Sequence, residues 1–324
     1  AWTLVIAAMV NLVAGLLLHV RFSPFGLVRR VSFAIGAVVV YLGMSRWLFV
    51  PLWQRQVLTA GVYLAPDLYR DVSVEDAVKD NELLFYRESL NATVSVHRNA
   101  RNNDLSLKVG GKTDASTGID MGTQVLAAHI PLLLHRNPQR VLVIGLGSGV
   151  TLGSVGRYPV STLHCAEIEP AVVEGARYFA EQNYHIHDDP RVKIYTVDGR
   201  NFLLATQAQY DVIISESSNP WMAGIAALFT KEFYELSRQR LAPGGVMCQW
   251  LQLYRILPAD VKLIVKTFQE VFPYTSVWST IPGDLVLIGT VAPHQLDYDS
   301  LKQQLARPEI RQDLDRIARA HPRA

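Results

Sequence analysis

Three observations predict an α/β chain: near-continuous Val, Ile and Leu runs alternating with helically spaced segments after residue 140, a glycine-rich loop ending the first such run, and two long apolar stretches at the amino end. Strands apolar along their whole length are buried on both faces, which calls for a mostly parallel sheet between two helical layers. Ahead of it the sequence predicts a small β-hairpin domain, and before that one or two transmembrane helices.

The elements follow in order. Residues 2–20 form an apolar run broken only by Asn11 and His19, close to the roughly 20 residues that cross a hydrocarbon core. A second run covers residues 31–52, with Arg46 near one end to snorkel and Trp47 and Trp53 suited to a headgroup zone. Arg21, Arg29 and Arg30 between the runs balance Arg46, Arg55 and Arg70 beyond them, so charge does not set the orientation. Residues 1–52 are therefore read as the transmembrane part, and 53–81, with Pro66, Asp67, Asp71, Glu75 and Asp76, as a linker with short helical pieces.

Residues 82–135 are expected to form the small β domain and its connecting helix. Two period-two runs, at 92–97 and 105–109, flank a polar turn, and residues 122–134 have helical spacing. From 136 to 292 the main domain is expected, with strands at 141–144, 162–166, 192–196, 212–214 and 246–250. Helices are expected near 151–158, 171–182, 230–240 and 258–271, and an edge hairpin turns at Pro282-Gly283-Asp284. Residues 293–324 read as a charged helical tail.

Composition narrows the chemistry. Thirty-one basic and twenty-nine acidic residues, interspersed, give a formal charge of +2 and no basic block, which argues against a nucleic-acid partner. Cys165 and Cys248 lie in strand-like runs, and no set of ligands stands at metal spacing, so neither a disulfide framework nor a metal site is expected.

The chemistry-bearing residues sit at strand ends. The run at 141–144 leads into Gly145-Leu146-Gly147-Ser148-Gly149 and a helix, the place in a Rossmann-like sheet where a ligand approaches bare backbone. Glu167, twenty-two positions on, ends the second strand and suits a pair of ribose hydroxyls. Asp198-Gly199 ends the third, placed to accept from an adenine amino group. Such a set favours a nucleoside-bearing ligand over a dinucleotide. The fourth strand ends in Ser215-Glu216-Ser217-Ser218-Asn219-Pro220-Trp221, a turn whose carboxylate, amide and hydroxyls can orient an amine nucleophile. Glu216 and Asn219 are the catalytic candidates.

Across residues 92–289 the sequence resembles the spermidine synthase family. The resemblance is carried by His129-Ile130-Pro131-Leu132, Val143-Ile144-Gly145-Leu146-Gly147-Ser148-Gly149, Glu167-Ile168-Glu169, Asp189-Pro190-Arg191-Val192, Val197-Asp198-Gly199, Tyr210-Asp211-Val212-Ile213-Ile214 and Leu228-Phe229-Thr230-Lys231-Glu232-Phe233-Tyr234. With the tandem apolar runs, it is similar to the membrane-fused bacterial members. The resemblance implies decarboxylated S-adenosylmethionine as aminopropyl donor, a di- or polyamine as acceptor, and no permanently bound cofactor. It gives the ribose to Glu167, the adenine to Asp198 and the attacking amine to Glu216. It allows a homodimer, and an intracellular nucleoside places the chain in the cell inner membrane with its catalytic domain in the cytoplasm.

Four departures qualify it. Ser148 stands where the family has an aspartate on a substrate amino group, Asn219 where the turn has a second acid, Gln124 where a histidine is usual, and Thr123 where a tyrosine is. Asp114 and Asp120, on the segment expected to close over the cleft, are candidate substitutes, with Gln124 and Trp221 as further acceptor contacts. Two other readings follow from the residues: a methyltransferase using intact S-adenosylmethionine, favoured by Ser148, and a non-catalytic nucleoside or polyamine sensor.

Overall fold

The computed structural model describes residues 2–22, 26–52, 54–64, 66–222, 224–293 and 297–320. The chain divides into two compact units, Ala1–Lys79 and Asp80–Ala324.

In the first unit the two apolar runs are helical, as α1 (Trp2–Phe22) and α2 (Leu27–Leu52), and pack on one another, with the His19 and Phe33 rings 4.6 Å apart. The expected linker holds α3 (Arg55–Leu58), a 3-10 turn at Pro66–Tyr69 and α4 (Val74–Val78). Ser73 starts α4 by accepting from the Asp76 N–H, satisfying an otherwise orphaned helix donor. Among the described residues no helix is long and apolar enough to cross a membrane. The expected transmembrane helices therefore lack structural support: Asn11, His19 and Arg21 interrupt α1, and Arg29 and Arg30 stand in the first turn of α2. The side chains of Arg46, Trp47 and Trp53, expected at an interface, lie outside the described residues.

The second unit opens with an antiparallel sheet in the order β1 (Asn81–Glu88), β2 (Thr93–Asn99), β3 (Leu105–Val109), β4 (Lys112–Ser116). The sequence reading missed β4, whose Lys-Thr-Asp-Ala-Ser has little apolar alternation. It forms because Gly110 and Gly111 both adopt positive φ, 58° and 83°, which a tight two-residue hairpin needs. Helix α5 (Met121–Leu134) then leads to the main sheet.

That sheet is assembled from β5 (Arg140–Ile144), α6 (Val150–Gly156), β6 (Thr162–Glu167), α7 (Pro170–Gly175), β7 (Val192–Thr196), α8 (Gly199–Ala205), β8 (Tyr210–Ser215), α9 (Lys231–Arg240) and β9 (Leu241–Gln252). The chain continues through α10 (Pro258–Val271), β10 (Tyr274–Ser279) and β11 (Asp284–Thr290) to the tail helices α11 (Tyr298–Leu305) and α12 (Pro308–Ala320). The strand order is β10-β11-β9-β8-β5-β6-β7, parallel from β9 to β7, with β10 and β11 antiparallel at the edge. This is an α/β Rossmann-like fold of the methyltransferase type. The helix expected across residues 171–182 is shorter, passing from α7 into a 3-10 turn at Ala176–Phe179, and α8 was not expected.

Alternate strand residues feed two cores. Val141, Val143, Cys165, Val212 and Ile214 pack on one face with α5 and α6; Leu142, Ile144, Ile213, Phe233 and Phe268 pack on the other with α9 and α10. Cys165 and Cys248 are both buried and free.

Candidate active site

The chain leaves β5 to build β6 and β7 on one side, then returns to build β8 and β9 on the other. Loops diverge at that reversal, and a crevice opens at the carboxyl ends of β5 and β8. The crevice is a cavity of about 730 Å³. Its floor is fixed by backbone bonds between strand ends: Gly145 N–H to the Ala166 carbonyl, Glu216 N–H to the Ile144 carbonyl, and Val197 N–H to the Glu167 carbonyl, each 2.9 Å. Gly145 has φ 91°, and a Cβ there would collide with the backbone carbonyl of Glu216, so only glycine lets the two loops close against each other.

Glu167 ends β6 with both carboxylate oxygens bonded, to the Leu146 N–H at 2.8 Å and the Glu169 N–H at 2.9 Å. It bridges the glycine loop and the start of α7, which sets its orientation. Burial pushes its acid up to about 6 against those two bonds, and the charges of Asp114 and Glu169 add to the rise. Asp198 caps α8 by accepting from the Asn201 N–H at 2.8 Å, and it lines the cavity with Gly199.

Glu216, just past β8, also lines the cavity. Burial pushes its acid up to about 8; the Thr151 hydroxyl opposes this and the Asp284 charge adds to it. Such a carboxyl gives up its proton near neutrality when a cation arrives, the property wanted of a general base.

Asp114 bonds Lys112 and accepts from the Ser218 hydroxyl at 2.9 Å, joining β4 to the turn after β8. Asp120 stands at the N-cap of α5 without capping it, accepts from the Ser116 hydroxyl at 2.8 Å and lines the cavity. Gln124 lines it too, bonding the Ser116 carbonyl through Nε2 and accepting from the Ser148 hydroxyl.

Four expected contacts are placed elsewhere. Ser148 is 1% exposed and turned inward, bonding Gln124 and the Val150 N–H, so it shapes the loop instead of lining the cavity. Gly149 begins α6 packed against Asn183, likewise off the wall. Asn219 is fully buried and does not line the cavity; its backbone carbonyl accepts from the Met222 N–H, and its side chain lies against Tyr254, which does line it. Trp221, 40% exposed, is also outside the lining.

The sequence reading overlooked Lys112, Tyr254 and Asp284, all on the wall. Asp284 was seen only as a hairpin residue, and no local pattern signals that β11 brings it beside α5. Among the described residues the lining holds seven acidic side chains, Asp114, Asp120, Glu167, Glu169, Asp198, Glu216 and Asp284, against one cationic one, Lys112. Burial and mutual repulsion hold several of these acids above their ordinary range. A bound cation relieves both, so the cavity favours a positively charged ligand.

Comparisons with known proteins place the fold and the family. The spermine/spermidine synthase domain family matches residues 121–291. A spermidine synthase of Dictyostelium discoideum is 32% identical over 188 residues, 56% of this chain and 66% of that protein. Putrescine N-methyltransferase 2 of Nicotiana tabacum is 35% identical over 161 residues, 48% of this chain and 45% of its own length. The match thus spans less of these relatives than their full lengths. The crystal structure of the Thermotoga maritima spermidine synthase superposes with a TM-score of 0.59 at 27% identity, covering 67% of this chain and 75% of that one.

Proposed function

Because the chain belongs to the spermine/spermidine synthase family, we propose that it is an aminopropyltransferase, moving the aminopropyl group of decarboxylated S-adenosylmethionine to a di- or polyamine. The observation that carries this reading is the acid-lined cavity at the strand reversal, with Glu167 and Asp198 at one end and Glu216 facing the same space. Glu167 takes the ribose hydroxyls, Asp198 the adenine edge, and Gly145 and Gly147 give the nucleoside close access to backbone.

The reaction needs alignment more than acid catalysis. The acceptor nitrogen attacks the carbon beside the sulfonium, the carbon–sulfur bond breaks, and its electron pair leaves on a neutral thioether, so no leaving-group proton is required. The acceptor ammonium first gives a proton to the Glu216 carboxylate, and the free amine that results supplies the lone pair for attack. Asp120 is the acid left for the transferred group's own amine, since Asp114 is paired with Lys112.

A second reading, methyl transfer from intact S-adenosylmethionine, is favoured by one observation. Ser148 and Gln124 form a neutral, self-bonded pair where the family pattern has an acid for the donor's amine. Incubating the enzyme with each nucleoside and 1,4-diaminobutane and weighing the product by mass spectrometry tests both. An added aminopropyl group is the expected result, an added methyl group selects the second reading, and neither product removes both.

The finer expectation, attachment to the inner membrane with the catalytic unit on the cytoplasmic side, is also a proposal. It is supported by apolar side chains left exposed on the amino-terminal helices, among them Val10, Leu17, Phe33 and Val39.

A further inference from the structure

A diamine held for attack at one nitrogen leaves a second positive charge to be met. The turn after β8 offers one acid, Glu216, while Asn219 on the same turn is buried off the cavity. A carboxylate from another part of the chain stands in the space that remains. Asp284 opens β11 after the Pro282-Gly283 bend, lines the cavity, and is 7% exposed.

Its setting is built. The Thr123 hydroxyl, in the first turn of α5, donates to Asp284 Oδ2 at 2.7 Å, and the Thr280 hydroxyl lies 3.0 Å from that of Thr123. These neutral groups fix the carboxylate's direction without cancelling its charge. Lys112 is bonded to Asp114 and acts on Asp284 only through space, too little to offset the burial and neighbouring charge that hold the Asp284 acid above its ordinary range, and among the described residues Asp284 makes no ion pair. Ser217, 7% exposed with an unpartnered hydroxyl, lines the same cavity beside Glu216. Trp250, Tyr254 and Ile281 supply apolar wall suited to a methylene chain. A buried acid held by hydroxyls and lacking a counter-ion is costly unless a ligand brings the charge.

We propose that Asp284, held by Thr123, anchors the acceptor's far ammonium group, so that the enzyme selects acceptors with a second cationic nitrogen while the first sits at Glu216. Which nitrogen reacts rests on the aminopropyl-transfer reading; the anchoring does not.

Calorimetry with the thioether product 5′-methylthioadenosine present compares 1,4-diaminobutane with 1-aminobutane on wild type, Asp284→Asn and Thr123→Val. The wild type is expected to favour the diamine by about 10- to 100-fold, the range of a charge-assisted bond in a buried site. Asp284→Asn should remove most of that preference, the loss falling on the diamine far more than on 1-aminobutane, and Thr123→Val, which deletes only the positioning hydroxyl, should reduce it several-fold. A diamine preference equal in wild type and Asp284→Asn overturns the inference, as does a wild type with no preference. If Asp284→Asn does not fold, an undiminished preference in Thr123→Val overturns it. Product analysis on the same wild type separates the two readings. Asp284-dependent binding without transfer removes only the transfer reading, and transfer with an unaltered preference removes only the anchor.

Discussion

Glu216→Gln keeps the shape of the side chain and removes its ability to ionise, which makes it the sharpest probe of the site. The acid is pushed up to about 8 by burial, so in the free protein at neutral pH it is mostly protonated and the variant resembles the wild type there. The sign follows from the raised value. Ionisation is harder in the fold than in the open chain, so this group lowers stability progressively as pH rises from its ordinary range through about 8. At about 1.4 kcal/mol per unit, the wild type loses roughly another 1–1.5 kcal/mol between about pH 7 and pH 9 from this group, and Glu216→Gln does not. Urea unfolding at the two pH values reads that difference. Catalysis changes in the other direction. Losing a general base lowers turnover by roughly 100- to 10,000-fold, and the wild-type kcat/KM limb near pH 8 should disappear. The variant should regain part of its rate at high pH, where free amine is plentiful. Near-wild-type turnover of Glu216→Gln at neutral pH would refute the assignment and move the role to Asp114 or Asp120.

Three further outcomes are expected. Glu167→Ala should weaken 5′-methylthioadenosine binding by about 1–3 kcal/mol in calorimetry, through lost charge-assisted bonds, and unchanged affinity in a folded variant removes Glu167 from the ribose site. Asp313, fully buried on α12, bonds His129 of α5 and Tyr184 at 2.8 Å each and pairs with Arg316. Asp313→Asn should cost about 3–5 kcal/mol in urea unfolding by leaving a buried network half satisfied, and a loss under about 1 kcal/mol means the tail helix is not tied in this way. Residues 80–324 alone should stay soluble without detergent and keep nucleoside affinity, while the full chain should sediment with membranes; a full chain recovered entirely in the soluble fraction sinks the proposed attachment.

What the sequence could reveal depended on how local the determinant was. Parallel strands bring their carboxyl ends together whatever the loops do, so Gly145, Glu167, Asp198 and Glu216 could be placed at one site from the strand pattern alone. Side-chain direction within a turn is different. Asn219 and Trp221 share a turn with Glu216, yet Asn219 is buried and neither residue lines the cavity, and nothing in residue type announces that. Asp198 shows a second limit: an acid before glycine reads as a ligand contact, but it also caps α8, a helix of seven residues too short for periodicity to reveal. Asp284 required knowledge of how the edge hairpin folds across to α5, a contact spanning more than 150 positions, with its Thr123 bond at |i−j| of 161.

The same non-locality changes how the departures from the family pattern are understood. In sequence, Ser148 and Gln124 look like two separate departures, one at a substrate amino group and one at a usual histidine. In the structure they are one exchange: the Ser148 hydroxyl donates to Gln124 Oε1, and Gln124 Nε2 donates to the Ser116 carbonyl, so the pair is satisfied internally and carries no charge. Thr123, the third departure, gives its hydroxyl to Asp284. The wall stays acidic all the same. Asp120 at the start of α5 and Asp284 on the edge hairpin both line the cavity without an ion pair among the described residues, whereas Asp114 is paired with Lys112. On the proposed function, Glu216 and Asp284 set the two points an acceptor must span, so substitutions at Asp284 and Thr123 should change which acceptor lengths are accepted.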